Sequence, residues 1–257
     1  MTFNDNARIN PGRVSRRGRN TGIAVGGGGG LLVIGLFIAS QLLGIDLTGL
    51  AGGGSAGSDQ QGEALSECTT GQAANSSIDC RIAGAADSLD TYWKGELPAL
   101  GKTYRTTNVA LFTGQTGTGC GGATSATGPF YCPSDETIYV DTAFYDELRS
   151  RFGSSGGPLA EMYVIAHEWG HHIQNSTGIM EGLDLQATGP ASDSVRLELQ
   201  ADCFAGSWVG AASTIQAENG VPFLGPVTDV QITDALSAAS AVGDDRIQQS
   251  TEGQVTP

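Results

Sequence analysis

Between Arg19 and Asp46 the chain carries no charge, and Leu31 to Leu43 (LLVIGLFIASQLL) is apolar apart from Ser40 and Gln41. No other stretch constrains the fold as strongly, because about 20 apolar residues suffice to span a bilayer as a helix. Gly22 to Ile45 is long enough. Its weak point is Gly26 to Gly30, a poor helix former in water that is tolerated where lipid enforces backbone hydrogen bonding. Arg8, Arg13, Arg16, Arg17 and Arg19 precede the run with one acid, Asp5, a pattern that predicts a cytoplasmic N-terminus and an exported remainder. A cleaved signal peptide has a similar head and core. No small-x-small cleavage site directly follows Leu43, so the expected reading is a retained anchor in contact with the lipid bilayer. On it, residues 1–21 form a basic cytoplasmic head and 22–46 a single transmembrane helix.

The formal charge of the chain is −14, from 13 basic and 27 acidic residues. The head contributes +4, so everything after residue 21 carries −18. Such a domain does not bind nucleic acid in general, which requires a basic surface to displace counterions from phosphate. Residues 47–62 are Gly/Ser-rich, with little to bury, and read as a flexible linker. The remainder, 63–257, is of ordinary single-domain size.

Cys68 and Cys80 are twelve residues apart, as are Cys120 and Cys132, while Cys203 stands alone. Four cysteines allow three pairings. The two local loops are favoured, since each is rich in Gly, Ser, Thr or Asn and would gain order from a staple. Export across the membrane makes disulfides the expected state, and the absence of any C-x2-C spacing disfavours a four-cysteine zinc site. Cys203, within a helical pattern, reads as a small buried hydrophobe.

Helical periodicity is evident over Cys80 to Leu97, Pro158 to Asn175, Asp193 to Ala212 and Thr228 to Val242. Asn108 to Thr113 and Thr137 to Val140 are short β-branched and aromatic runs that read as strands, with Gly114 to Gly128 a long loop between them. Strands first and helices afterwards indicate an α+β domain.

All three histidines fall in His167-Glu168-Trp169-Gly170-His171-His172. His167 and His171 are four positions apart, which places both rings on one helix face, close enough to share an ion. Glu168 lies about 100° round the helix from His167, where it can reach a water without ligating. This is the HExxH arrangement of zinc hydrolases. A catalytic zinc takes three protein ligands and keeps a place for water. His172 points about 100° away from His171, so it is expected beside the site or at the surface rather than on the metal. No distant histidine remains, which directs the search to acids. Glu198, on the next long helix, is the candidate third ligand, and Asp202, one turn on, the acceptor of a liganding imidazole's N–H. Apolar neighbours (Leu197, Leu199, Ala201, Phe204, Ala205, Trp208) suggest that this helix is buried on much of its surface, where acids need partners.

The segments GCGGATSATGPFYCPSDETIYVD, YVIAHEWGHHIQN, RLELQADCFAGSW and ALSAASAVGDDRIQ resemble the bacterial putative neutral zinc metallopeptidase family, whose members look like membrane-anchored gluzincins. The resemblance runs from about Cys68 to Gln249. It implies one Zn2+ held by His167, His171 and Glu198, with Glu168 as catalytic acid/base. It also implies a zincin-like domain, with a small sheet lobe and a helical lobe flanking the cleft, exposed outside a bacterial cell membrane. Family members are expected to continue past the equivalent of Val255 into a Pro-x-Ser-Phe-Thr-His-Gly segment. This chain stops at Pro257, which leaves open a truncated form or a dispensable tail.

The expected activity is hydrolysis of a protein or peptide substrate by a metal-activated water, with Glu168 accepting and returning the proton. Tyr131, Tyr139, Tyr145 and Tyr163 are candidates for a second oxyanion donor. Thr137 to Val140 is the strand expected to offer its edge to an extended substrate. Two rivals remain: a zinc-binding interaction module without turnover, and a zinc hydrolase of a non-protein amide or ester.

Overall fold

A computed structural model describes residues 2–18, 62–150, 156–184, 189 and 191–242. The chain is α+β. A five-stranded mixed sheet has the order β2-β1-β3-β7-β6, from β1 (Val14–Arg16), β2 (Glu63–Ala64), β3 (Asn108–Phe112), β6 (Phe130–Cys132) and β7 (Thr137–Asp141). A separate hairpin is made by β4 (Gln115–Thr118) and β5 (Gly121–Thr124). The helices are α1 (Gly71–Ser76), α2 (Ile78–Ala99), α3 (Phe144–Ser150), α4 (Pro158–Ser176), α5 (Asp193–Ala211) and α6 (Asp229–Val242).

All of β7, and β3 beyond Asn108, are buried, as befits central strands covered on both faces. Val109, Leu111, Ile138 and Val140 face the main core with α2 and α4. Their alternates Ala110, Phe112 and Tyr139 form a second, small core with Ala123 and Cys132. The period of two thus serves two cores at once. The segment expected to be a long loop, Gly114 to Gly128, contains the β4–β5 hairpin, and both expected disulfides, Cys68–Cys80 and Cys120–Cys132, are present. Cys203, in contrast, is exposed and not a buried hydrophobe.

The strand expected to present an open edge, Thr137 to Val140, is paired on both sides, parallel to β3 and antiparallel to β6. The sheet edge on this side belongs to β6.

The largest correction concerns the N-terminus. Phe3, Ala7, Ile9 and Val14 are buried in the main core. Ser15 sits between Ala110, in the parallel pairing with β3, and Ala64, in the antiparallel pairing with β2. Phe3 is clamped by Asn75, whose amide accepts from its N–H and donates to its carbonyl at 2.9 Å each. It packs so tightly on α2 that a Cβ at Gly84 would stand 2.6 Å from its ring. Two of the arginines expected to hold the head in the cytoplasm have partners inside the fold: Arg16 pairs with Asp79, while Arg17 donates to the Gly117 carbonyl and lies over the Tyr139 ring. Residues 2–18 are therefore part of the same folded unit as the residues after 62. Among the described residues no helix is long and apolar enough to cross a membrane. These findings overturn the single-pass anchor with a cytoplasmic head and an extracytoplasmic domain. The segment assigned to the transmembrane helix, 22–46, and the linker 47–62 except its last residue lie outside the described residues.

Candidate metal centre

Two helices build the site. Pro158 occupies the first turn of α4, where its missing N–H costs nothing, and the helix runs as a buried rod to Ser176. Ser192 caps α5 by accepting from the Val195 N–H. The two helices meet at Gly170, where a Cβ would stand 2.9 Å from the Ala201 Cα. Only glycine permits that approach, and the ligand candidates flank it.

Nε2 of His167 lies 3.2 Å from Nε2 of His171 and 3.1 Å from Oε2 of Glu198, and Oε1 of Glu198 is 3.5 Å from His171 Nε2. A tetrahedral zinc with bonds near 2.0–2.1 Å sets its ligand atoms about 3.3 Å apart. The three side chains therefore match a zinc donor set in type and in spacing. Asp202 Oδ1 is 2.8 Å from His167 Nδ1. A carboxylate can only accept, so the neutral imidazole carries its proton on Nδ1 and directs the Nε2 lone pair into the cluster. Tyr163 donates its hydroxyl to the same Asp202 oxygen.

The charges agree with this arrangement. Burial opposes a charge on His167, but the carboxylates of Asp202 and Glu198 outweigh it and push the imidazole up to about 10. Burial likewise opposes ionisation of Glu198 and Asp202, yet the imidazoles hold both acids below the usual carboxylate range. Glu168 is buried, and desolvation raises its pKa against the opposing pull of His171, His167 and the Tyr131 backbone N–H. A buried acid with a raised pKa beside a cation site is suited to general acid/base work.

The structure thus brings together His167, His171 and Glu198, with Asp202 behind His167 and Glu168 alongside. His172 belongs elsewhere. It is fully buried, donates from Nε2 to the Arg105 carbonyl at 2.7 Å, and accepts at Nδ1 from the Tyr131 hydroxyl at 3.1 Å. Its hydrogen bonds tie α4 to β6 and to the loop before β3 rather than to a ligand, and burial lowers its pKa. None of the four candidate tyrosine hydroxyls is uncommitted: they engage His172 and Asn175 (Tyr131), Asp135 (Tyr139), the Glu161 carbonyl (Tyr145) and Asp202 (Tyr163). Two contributors escaped the sequence reading, the Tyr131 main chain and Gln174. The first has no residue-type signal, and the second shows only as a polar residue three positions after His171.

Comparison with known proteins agrees with the site chemistry. The family described as putative neutral zinc metallopeptidase matches residues 4–257. Uncharacterized protein Rv2575 of Mycobacterium tuberculosis and Uncharacterized protein Mb2605 of Mycobacterium bovis are each 53% identical over 194 residues, 75% of this chain and 65% of theirs. The chain thus spans about two thirds of the length of these relatives. Uncharacterized protein YpfJ of Escherichia coli K12 is 38% identical over 236 residues, 90% of this chain and 77% of its own. No solved structure matches. The family match reaches back to residue 4 and so includes the arm that the fold buries, as well as the paired histidines and the acid helix. On this evidence the chain belongs to the putative neutral zinc metallopeptidase family.

Proposed function

We propose that this protein is a zinc-dependent endopeptidase in which His167, His171 and Glu198 hold one Zn2+ and Glu168 acts as general acid/base. The observation that carries the reading is the convergence of two Nε2 atoms and a carboxylate within 4.8 Å of one another, with the buried Glu168 alongside. Zinc bound there would supply Lewis acidity, lowering the pKa of a water towards about 7 and polarising a carbonyl.

The protein's own residues do the rest. Asp202 fixes the His167 tautomer and, as an anion below its usual range, strengthens the imidazole as a donor. Glu168 takes the proton as water attacks and returns it to the leaving amine; its raised pKa keeps the protonated form accessible after the first transfer. Edge strand β6 packs against α4, the helix of the paired histidines, with the Tyr131 hydroxyl bonded to His172 and Asn175. An extended substrate adding to that edge would be recognised mainly through its main chain, giving broad sequence preference.

The test is zinc content and peptide hydrolysis of the full chain. Stoichiometric zinc, lost in Glu198→Ala, with hydrolysis abolished by chelation and restored by zinc, is expected. Zinc fully retained in Glu198→Ala would overturn the ligand assignment. Stoichiometric zinc without hydrolysis of any peptide would overturn the peptidase reading in favour of a binding module or a hydrolase of another amide or ester.

A further inference from the structure

Gln174 is completely buried, one turn beyond His171 on α4. Its Nε2 donates to the Leu197 carbonyl at 2.7 Å and to Gln200 Oε1 at 3.1 Å, both on α5. A backbone carbonyl can only accept, so the orientation of the amide is determined: nitrogen towards α5, oxygen towards His171. Gln174 Oε1 is 2.9 Å from His171 Nδ1. An amide oxygen also can only accept, so His171 carries a proton on Nδ1 and, when neutral, presents an Nε2 lone pair to His167 and Glu198.

From this geometry we infer that Gln174 is the positioning residue for His171, the counterpart of Asp202 for His167. One buried amide sets the tautomer and ring orientation of a ligand on α4 and anchors it to the carbonyl immediately before Glu198 on α5. Each histidine is therefore tied through Nδ1 to a group that also belongs to, or is fastened to, the helix carrying the third ligand. His167 has an anionic acceptor and His171 a neutral one, so the second tie orients its imidazole without adding a further negative charge.

This inference rests on the zinc reading above, and its test separates the two. Zinc affinity of the full chain is measured by competition with a chelator, and the His171 ring is observed by nitrogen-15 NMR of the zinc-loaded protein, for wild type, Gln174→Met and Gln174→Glu. The methionine variant keeps the volume and removes the acceptor. The glutamate keeps an acceptor oxygen for His171 in either protonation state. The expected result is a fall in zinc affinity of about 10–100-fold in Gln174→Met, with loss of the wild-type His171 Nδ1–H signature and recovery of both in Gln174→Glu. Equal affinity and an unchanged His171 spectrum in Gln174→Met would overturn the assignment. An equal loss in both variants would also overturn it, reducing Gln174 to a packing tether. Absence of zinc from the wild type would instead defeat the metal reading itself.

Discussion

Gly170 and Ala201 are in backbone contact: a Cβ on Gly170 would fall 2.9 Å from the Ala201 Cα and 3.0 Å from its carbonyl oxygen. The neighbour is main chain and cannot swing aside, so Gly170→Ala must separate α4 from α5. Overpacking of this kind costs about 1–3 kcal/mol, and the displacement carries Glu198 away from His167 and His171. Gly170→Ala is predicted to lower the urea midpoint and zinc affinity together. A variant that loses stability with unchanged affinity would show that the contact does not set the site's geometry.

Removing the acceptor behind His167 tests the other half of the site. Asp202→Asn retains shape but can turn its amide nitrogen towards the imidazole, and it removes the negative charge that favours a cation. Zinc affinity is predicted to fall about 10–100-fold, while Tyr163→Phe, which leaves the carboxylate in place, has the smaller effect. Chelator competition measures both; an Asp202→Asn affinity equal to wild type would contradict the assignment.

The N-terminal arm is predicted to be a structural part of the domain. Phe3 is 3% exposed, and Phe3→Ala should cost about 3–5 kcal/mol by loss of burial and the cavity left behind. Denaturant unfolding monitored by tryptophan fluorescence checks this. A variant as stable as wild type would mean that the arm is detached from the core in solution.

Protons and zinc compete for the same imidazoles. With His167 pushed up to about 10 by Asp202 and Glu198 against its burial, zinc loading near pH 7 must expel a proton, so apparent affinity rises with pH until about pH 10. In the zinc-free protein the sign is reversed. His167 titrates above its unfolded value of about 6.5, so its ion pairing contributes fully below that pH and is lost as pH rises through about 10. Chelator-treated protein should therefore unfold at lower urea at pH 10 than at pH 6, with His167→Gln flattening the difference. A zinc affinity independent of pH between 6 and 9 would contradict this.

The site was more legible in the sequence than the fold around it. His167 and His171 announce themselves because the i, i+4 spacing is a property of one helix, and Glu198 and Asp202 follow because only acids remain to complete the set. The local disulfides and the long helices are likewise written in short-range pattern. The arm was misread because Arg16 and Arg17 look the same in sequence whether they face lipid headgroups or find Asp79 and the Gly117 carbonyl far along the chain. Strands β1 and β6 have only three residues each, too few for periodicity, and exist through pairing with β3 and β7. Gln174 carries no signal of its own; its role comes from the Leu197 carbonyl, which is brought within reach where the two helices touch.

The most direct test of the central claim is hydrolysis of an unfolded protein substrate by wild type and Glu168→Gln at equal measured zinc content. The account predicts that both bind one zinc and that turnover falls by about 10²–10⁴-fold in the variant, the contribution typical of a general acid/base. Equal turnover in the two proteins would contradict it.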